Sequence, residues 1–178
     1  MALRIASSVF ALCALSVTAC NSKTAATPEN YIATLNTYFA DHRDCLFDGS
    51  TKFPFETGEA GLTRQMDALA TAQMLEAHKA TIIHITRYTL TDAGTRAGKN
   101  FCYGHREVTS IDSSTKPALA NRFMETQVEY HYKIADMPVW AKTPEVLAAF
   151  PKMAQEASGN TSDKATLALT GVGWSVPD

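Results

Sequence analysis

Apolar residues follow a helical spacing in the first half of the chain and an alternating spacing in the second half. Thr27-Pro28 predicts the start of a first helix, with a threonine cap and a proline in the first turn, and we expect this helix to end near Arg43. A second apolar stripe predicts a helix from about Leu62 to His78. Between them, Phe47–Gly58 is interrupted by glycine and proline and is predicted to be a loop.

The second half of the chain has the composition of β-strands. Thr81–Leu90 and Asn100–Ile111 are rich in β-branched and aromatic residues, and Phe123–Ala135 alternates most regularly between apolar and polar positions. A short helix interrupted at Pro151 and a last strand, Ala165–Val176, complete the pattern. This order predicts an α+β domain in which N-terminal helices pack on a mainly antiparallel sheet of about four strands. In the Phe123–Ala135 strand, the predicted inward residues are Val128, Tyr130, Tyr132 and Ile134, and the outward ones are Glu129, His131 and Lys133.

The length and the net charge of the chain exclude some classes of protein. The chain has 178 residues, of which 46% are hydrophobic, and its formal net charge is −2. This length suits one domain with one hydrophobic core. The near-neutral charge excludes a strongly basic nucleic-acid binder and an acidic disordered tail, because both need a large excess of one sign.

The first twenty residues have the layout of a secretory signal peptide. Met1–Arg4 carries one positive charge, Ile5–Leu15 is mostly apolar, and small residues lead to Cys20. The apolar run is too short to span a bilayer as a helix, which takes about 20 apolar residues. The segment therefore predicts export rather than a transmembrane anchor.

The end of this segment, Val17-Thr18-Ala19-Cys20, resembles the lipobox of bacterial lipoproteins, in which small residues precede a cysteine. The resemblance implies that the Cys20 thiol receives a diacylglyceryl group, that residues 1–19 are cleaved off, and that the freed amine is acylated as well. Two or three acyl chains hold a protein stably on a membrane, whereas one does so only marginally. Asn21 is not the aspartate that commonly retains such proteins in the inner membrane. The resemblance thus implies the outer membrane of a diderm bacterium, with the domain facing the periplasm.

The polar segment Asn21–Thr27 shows no periodicity. We therefore predict a lipidated cysteine and flexible tether over residues 20–27, and a single α+β domain over residues 28–178, close to the membrane surface.

Two cysteines remain once Cys13 leaves with the signal and Cys20 is lipidated. In an oxidising compartment, Cys45 and Cys102 most simply form one disulfide. It would close a loop of more than fifty residues and join the end of the first helix to a central strand.

The flanks of these cysteines leave two other interpretations open. His42 and Cys45 have the spacing H-x-x-C, and Cys102 and His105 have the spacing C-x-x-H, which together suit a tetrahedral zinc site. Alternatively, Cys102 and His105 have the elements of a thiolate–imidazole pair for nucleophilic catalysis.

Residues 62–94 show a second, local resemblance. Met66–Leu75 followed by Arg87–Gly94 resembles a helix and wing strand of a winged-helix module. The clustered Lys and Arg that would neutralise DNA phosphates are missing, because the region holds only Arg64, Lys79 and Arg87. The resemblance therefore implies a scaffold for protein contact and no nucleic-acid partner.

The sequence contains no G-x-S-x-G, H-E-x-x-H, P-loop or G-x-G-x-x-G motif. We expect no catalytic residue, no metal and no cofactor, and we expect Glu107 and Glu129, if they faced each other, to repel. The apolar, Pro-stiffened segment Met137–Ala141 is a candidate contact patch. The residues that we select for possible ligand or partner contact are Tyr103, His105, Tyr130, Tyr132 and Trp140.

These observations favour a membrane-anchored envelope lipoprotein that acts as a non-enzymatic binding or assembly module. Its expected partners are the membrane, through the N-terminal lipid, and another envelope protein. The alternatives are a periplasmic metal-binding lipoprotein and a thiol-dependent envelope enzyme using Cys102 and His105.

Overall fold

The computed structural model describes residues 23–80 and 84–177, which fold into helices and two antiparallel sheets. This confirms the predicted mixture of helices with mainly antiparallel strands. The signal peptide with its lipobox, Cys13, Cys20 and Asn21 lie outside the described residues, as do residues 81–83 at the start of the predicted strand Thr81–Leu90.

The elements alternate along the chain more often than the sequence pattern predicts. The helices are α1 (Pro28–Asp41), α2 (Ala60–Thr71), α3 (Asp92–Ala97), α4 (Pro144–Ala149) and α5 (Pro151–Ala157), with one 3-10 turn at Val139–Lys142. The strands are β1 (Arg43–Cys45), β2 (Phe55–Thr57), β3 (Leu75–Ala80), β4 (Ile85–Leu90), β5 (Cys102–Ser114), β6 (Ala118–Ala120), β7 (Phe123–Ala135), β8 (Thr161–Thr170) and β9 (Gly173–Ser175).

The larger sheet has six strands, which is three more than the sequence predicts for it, because one of the four predicted strands, Thr81–Leu90, lies in the other sheet as β4. Its order is β1-β5-β7-β8-β9, and β6 also pairs with β7. Two of the additional strands, β1 and β6, have three residues each, too few to show an alternation. The third arises because the predicted last strand is a hairpin, in which β8 turns at Gly171-Val172 into β9.

The first helix begins as predicted. The Thr27 side chain accepts a hydrogen bond from the Asn30 N–H at 3.4 Å, and Pro28 follows it in the first turn. Tyr31 and Leu35 are buried against the large sheet, where the Tyr31 ring meets the edge of Trp174 at 5.2 Å. This contact fixes α1 across β9.

The second helix begins at Ala60 and ends at Thr71, seven residues before the predicted end at His78. Gln73 takes a left-handed conformation, with φ of 62°. Its N–H donates to the Ala70 carbonyl and the Met74 N–H donates to the Leu69 carbonyl, which together form a Schellman ending. The chain then continues as β3, which pairs with β4.

The small sheet has the order β2-β4-β3 and packs on a second core. This core contains Met66 and Leu69 of α2, Tyr88 of β4, Phe101 and Trp140. Part of the predicted loop Phe47–Gly58 is strand β2, because Phe55 pairs with Tyr88. A helix-turn-helix has two successive helices, but only α2 lies between β2 and β3.

The N-terminal segment packs on the domain where a flexible tether was predicted. The Ala25 carbonyl accepts hydrogen bonds from the Trp174 indole N–H at 3.1 Å and from the Asn30 side chain at 2.8 Å. The Lys23 backbone lies over Gly173, where a Cβ atom would come within 3.1 Å of the Lys23 carbonyl oxygen. The chain is therefore held to β9 from Ala25 onwards.

Candidate functional site

Cys45 and Cys102 form the predicted disulfide. They are register partners on β1 and β5, and the bond closes a loop with a sequence separation of 57 residues. The chain-entropy model gives such a loop on the order of 4 kcal/mol of stabilisation. Because the bond uses both thiols, neither sulfur is a free thiolate for zinc or for nucleophilic attack.

His42 and His105, the histidines of the zinc and thiolate–imidazole interpretations, have separate partners. His42 stacks on Tyr38 and its Nδ1 lies 2.6 Å from the Tyr38 carbonyl oxygen, while His105 Nδ1 lies 3.7 Å from Asp136. Over residues 23–80 and 84–177, no group of three or more His, Cys, Asp or Glu side chains is arranged to hold a metal ion.

A buried ionic network lies next to the disulfide and centres on Arg106 of β5. The guanidinium donates to both carboxylate oxygens of Asp44 on β1, at 3.3 and 3.5 Å, and to Asp163 on β8 at 2.7 Å. It also donates to the Tyr130 hydroxyl at 3.5 Å and lies 4.6 Å from the centre of the Tyr132 ring. The Arg106 side chain is 16% exposed.

Glu156 of α5 completes this network from the helix side. Only 5% of its side chain is exposed, and its carboxylate lies 3.8 Å from Arg106. The Tyr103 hydroxyl donates to Glu156 at 2.5 Å, and the Tyr132 hydroxyl donates to it at 3.4 Å. A buried carboxylate needs such partners, because burying an unpaired charge is strongly unfavourable.

The environment shifts the titration of these groups away from neutral pH. Burial raises the pKa of the Tyr103 phenol, and the hydrogen bond to Glu156 raises it further. Burial also raises the pKa of Tyr132, although the Arg106 charge lowers it. Burial opposes the charge of Arg106, but the hydrogen bond to Asp163 and the charge of Asp44 outweigh this effect and raise its pKa. The phenols therefore act as neutral hydrogen-bond donors, and the guanidinium stays charged.

Burial also raises the pKa of Asp44, and the Arg106 charge reduces this shift without removing it. All three guanidinium nitrogens contact side-chain oxygen atoms of the protein. These contacts join β1, β5, β7, β8 and α5.

The open surface beside this network is a groove along α1. One cleft of about 310 Å³ reaches the network and is bordered by Tyr38, Phe39, Asp163 and Lys164. A second cleft of about 470 Å³ follows α1 and the β8–β9 hairpin. Tyr38 and Val176 border both clefts. A volume of this size is within the range of small-molecule and peptide-side-chain sites. Residues lining the larger cleft include Thr34, Thr37, Asp41, His42, Trp174 and Ser175.

The aromatic residues selected from the sequence are in the interior. Tyr103 and Trp140 belong to the core beneath the small sheet, whereas Tyr130 and Tyr132 belong to the core between α1 and the large sheet, and all four are buried. Their aromatic rings therefore pack the domain instead of forming a surface for a partner. In the segment Met137–Ala141, Val139 is 85% exposed.

The polar face of β7 forms charge pairs with its neighbours. Glu107 is the register partner of Lys133, and their charged groups are 3.2 Å apart. Glu129 faces Lys164 at 3.7 Å rather than Glu107. The like-charge pair considered in the sequence does not form, since the register brings opposite charges together.

Sequence reasoning missed both the Arg106 network and the α1 groove. The partners of Arg106 lie 62 and 57 residues away, at Asp44 and Asp163, so no local motif connects them. One local signal was available. Glu156 follows Met153 by three residues, which places a carboxylate on the buried face of a helix.

No family model, no curated protein and no solved structure matches this chain. Among the described residues, no helix has both the length and the apolar character needed to cross a membrane.

Proposed function

We propose that this chain is a lipid-anchored protein of a bacterial envelope that acts as a non-enzymatic binding or assembly module. The observation that carries the proposal is the lipobox-like sequence Val17-Thr18-Ala19-Cys20, which ends five residues before the chain is held to the domain at Ala25. A thioether at Cys20 would attach the folded domain directly to a membrane surface.

The disulfide supports an exported location. Disulfides form and persist in oxidising compartments such as the periplasm and are rare in the cytosol. The Cys45–Cys102 bond lies next to the Arg106 network and joins β1 to β5, so it contributes to the same packed region. Asn21 in place of aspartate supports the outer membrane of a diderm bacterium as the destination.

The surface chemistry supports a binding role. The buried charges are paired with each other, while the groove along α1 offers a stacked Tyr38–His42 pair, the Asp41 carboxylate and threonine hydroxyls to solvent. Mixed aromatic and polar surfaces of this kind suit recognition of a protein segment. The proposed partner is another envelope protein, and the net charge of −2 argues against nucleic acid.

Membrane fractionation of two cysteine variants tests the anchor. We expect Cys20→Ala to abolish lipidation and to leave the domain in the soluble fraction after a high-salt wash. Cys13→Ala is the matched control, because it changes a cysteine of the signal that the lipobox does not use. A wild-type chain that carries no acyl group, and that distributes between the fractions in the same way as Cys20→Ala, contradicts the proposal.

Photo-crosslinking in the native host tests the groove. A photoreactive residue at Thr37 should form a defined adduct with one envelope protein, whereas the same residue at Thr71 should not. Both threonines are exposed on helices and donate to the carbonyl four residues earlier, at 2.8 and 3.0 Å, but only Thr37 borders the groove. Equal adducts from both positions would contradict a specific role of the groove.

A further inference from the structure

Exposed apolar side chains concentrate at one end of the large sheet. The described residues include five large, exposed hydrophobic side chains, and four of them lie at the β6–β7 and β8–β9 turns. The fifth, Val139, lies in the 3-10 turn before α4. The four at the sheet end, with their exposed fractions, are Leu119 (75%), Phe123 (47%), Met124 (38%) and Val172 (86%).

The strand register joins these residues to the core. Leu119 pairs with Met124, Met124 pairs with Leu169, and Leu169 pairs with Trp174. Register partners in antiparallel strands point to the same face of the sheet. These register partners therefore form one line across β6, β7, β8 and β9, which we call the apolar row. Its members are Leu119, Met124, Leu169 and Trp174. It begins at the buried Trp174 and becomes exposed at Leu119.

The N-terminal chain arrives at this same end. The Trp174 indole holds the Ala25 carbonyl, and Gly173 contacts the Lys23 backbone. Ala25 follows Cys20 by five positions, so the extended chain between them spans at most about 18 Å. A domain of this length has a radius of gyration of about 15 Å. A lipid on Cys20 would therefore bring this end of the sheet, rather than the opposite end, to the bilayer.

The charges around the apolar row are mixed. Lys23 and Arg122 are exposed cations at this end. The nearby carboxylates are Glu29, in the first turn of α1, and Glu125, which accepts a hydrogen bond from Asn121 at 3.2 Å. Cations favour contact with anionic lipid headgroups, whereas the two carboxylates oppose it, so the apolar side chains must supply most of the attraction.

We propose that the apolar row, together with Phe123 and Val172, is a membrane-docking surface that inserts among the headgroups of the bilayer carrying the lipid anchor. This inference rests on the proposed lipidation of Cys20. Large exposed apolar patches mark contacts with proteins or membranes, and the tether length favours the membrane, since it places the row next to the anchored lipid. Apolar side chains at such a boundary sit about 5–10 Å deep in the headgroup and acyl region.

Spin-label depth measurements test this surface on the acylated protein. The protein is reconstituted into vesicles of phosphatidylethanolamine and phosphatidylglycerol, with a nitroxide on either Asn121→Cys or Asn160→Cys. Asn121 is in the β6–β7 turn, and Asn160 precedes β8 at the opposite end. Ten residues of β8 separate the two ends, which corresponds to about 30 Å. We expect the label at Asn121 to collide several-fold less often with an aqueous nickel chelate, and more often with oxygen, than the label at Asn160.

Two serine variants distinguish insertion from proximity. Val172→Ser, combined with Leu119→Ser, should raise nickel access at Asn121 to the level of Asn160 while the acylated mass stays the same. Val139→Ser is the matched control, because Val139 is 85% exposed and Val172 is 86% exposed, and it should change nothing.

The outcomes separate this inference from the function on which it rests. A chain that carries no acyl group contradicts both. An acylated chain with equal nickel access at Asn121 and Asn160 overturns the docking surface alone. Spin–spin broadening between Asn121 labels of neighbouring molecules, without a depth difference, would show a second copy on the apolar row and would overturn it as well.

Discussion

The two ends of the large sheet differ in the side chains that they carry, although β7 and β8 extend through both ends. At the end that holds Arg106, the charged side chains of β1, β5 and α5 are at most 19% exposed and are paired with one another, and Asp163 of β8, which is 48% exposed, also pairs with Arg106. At the other end, the apolar residues Leu119 and Val172 are exposed. We call these the closed end and the open end.

This difference indicates which end contributes to the stability of the fold and which end is available for binding. Buried ion pairs are strongly destabilising to break, since the partner charge stays behind without compensation. Exposed apolar side chains contribute little to folding, because they leave water only when a partner covers them. The closed end should therefore determine stability, and the open end should determine attachment.

Removing the central cation of the closed end should have the largest effect. Arg106→Met keeps an unbranched aliphatic stem but leaves Glu156 and Asp44 without their countercharge. We expect the free energy of unfolding, measured with urea, to fall by about 3–5 kcal/mol. Arg87→Met is the matched control, because Arg87 and its partner Glu56 are each 55% exposed, and it should change stability by less than about 0.5 kcal/mol. Equal effects of the two substitutions would contradict the claim that the Arg106 network contributes more to stability than the exposed Arg87–Glu56 pair.

Removing the disulfide should have an effect of similar size. The double variant Cys45→Ala/Cys102→Ala removes the covalent link between β5 and β1, which carries Asp44. We expect a loss on the order of 4 kcal/mol in the free energy of unfolding. Reduction of the wild-type protein should lower its stability by a similar amount, and no change on reduction would contradict a stabilising bond.

Alkaline pH should weaken the closed end. The pKa values of Tyr103 and Tyr132 are raised in the folded state by burial. Each phenol therefore contributes stability that is fully present below its unfolded pKa of about 10 and is lost as the pH rises through the folded pKa. The free energy of unfolding should be lower at about pH 11 than at about pH 9.

Two variants sharpen this pH prediction. Tyr103→Phe removes one of the phenols of the closed end and should make the alkaline decrease shallower. In the second core, burial and the hydrogen bond to Asp67 raise the pKa of Tyr88 to about 12, so Tyr88→Phe should reduce the decrease as well. Stability that is equal at both pH values would contradict the raised pKa values.

Substitutions at the open end should have the smallest effect on folding. Leu119→Ser and Val172→Ser change side chains that are 75% and 86% exposed. Urea unfolding should show changes within about 0.5 kcal/mol. A loss comparable to that of Arg106→Met would show that the apolar row serves the fold instead of a binding surface.

The sequence predicts those parts of the molecule that depend on local patterns. The alternation over Phe123–Ala135 matches β7 residue for residue, and the Thr27-Pro28 start matches α1. The disulfide followed from counting the cysteines that remain after export. Each of these features depends on neighbouring residues or on composition.

Two turns show why other boundaries were missed. Gln73 ends α2 in a left-handed conformation where glycine is usual, so the apolar stripe gave no stop signal. Asn121 and Arg122 both have positive φ in the two-residue turn between β6 and β7, where Asn-Gly is the common sequence. In both cases the surrounding packing selects a conformation that the residue type only weakly favours.

The two ends of the sheet were not predictable because they depend on the register of distant strands. The closed end joins Arg106 to residues 57 and 62 positions away. The open end arises only when four strands align Leu119, Met124, Leu169 and Trp174. The aromatic residues selected as contacts are buried for the same reason, because alternation identifies the inner face without showing what covers it.

Intact-mass spectrometry of the protein purified from a diderm host tests the lipid anchor most directly. We expect a chain that begins at Cys20, carries a diacylglyceryl thioether and an acylated amine, and lacks two hydrogens because of the Cys45–Cys102 bond. A mature chain that begins upstream of Cys20, or that begins at Cys20 without acyl groups, would contradict the account.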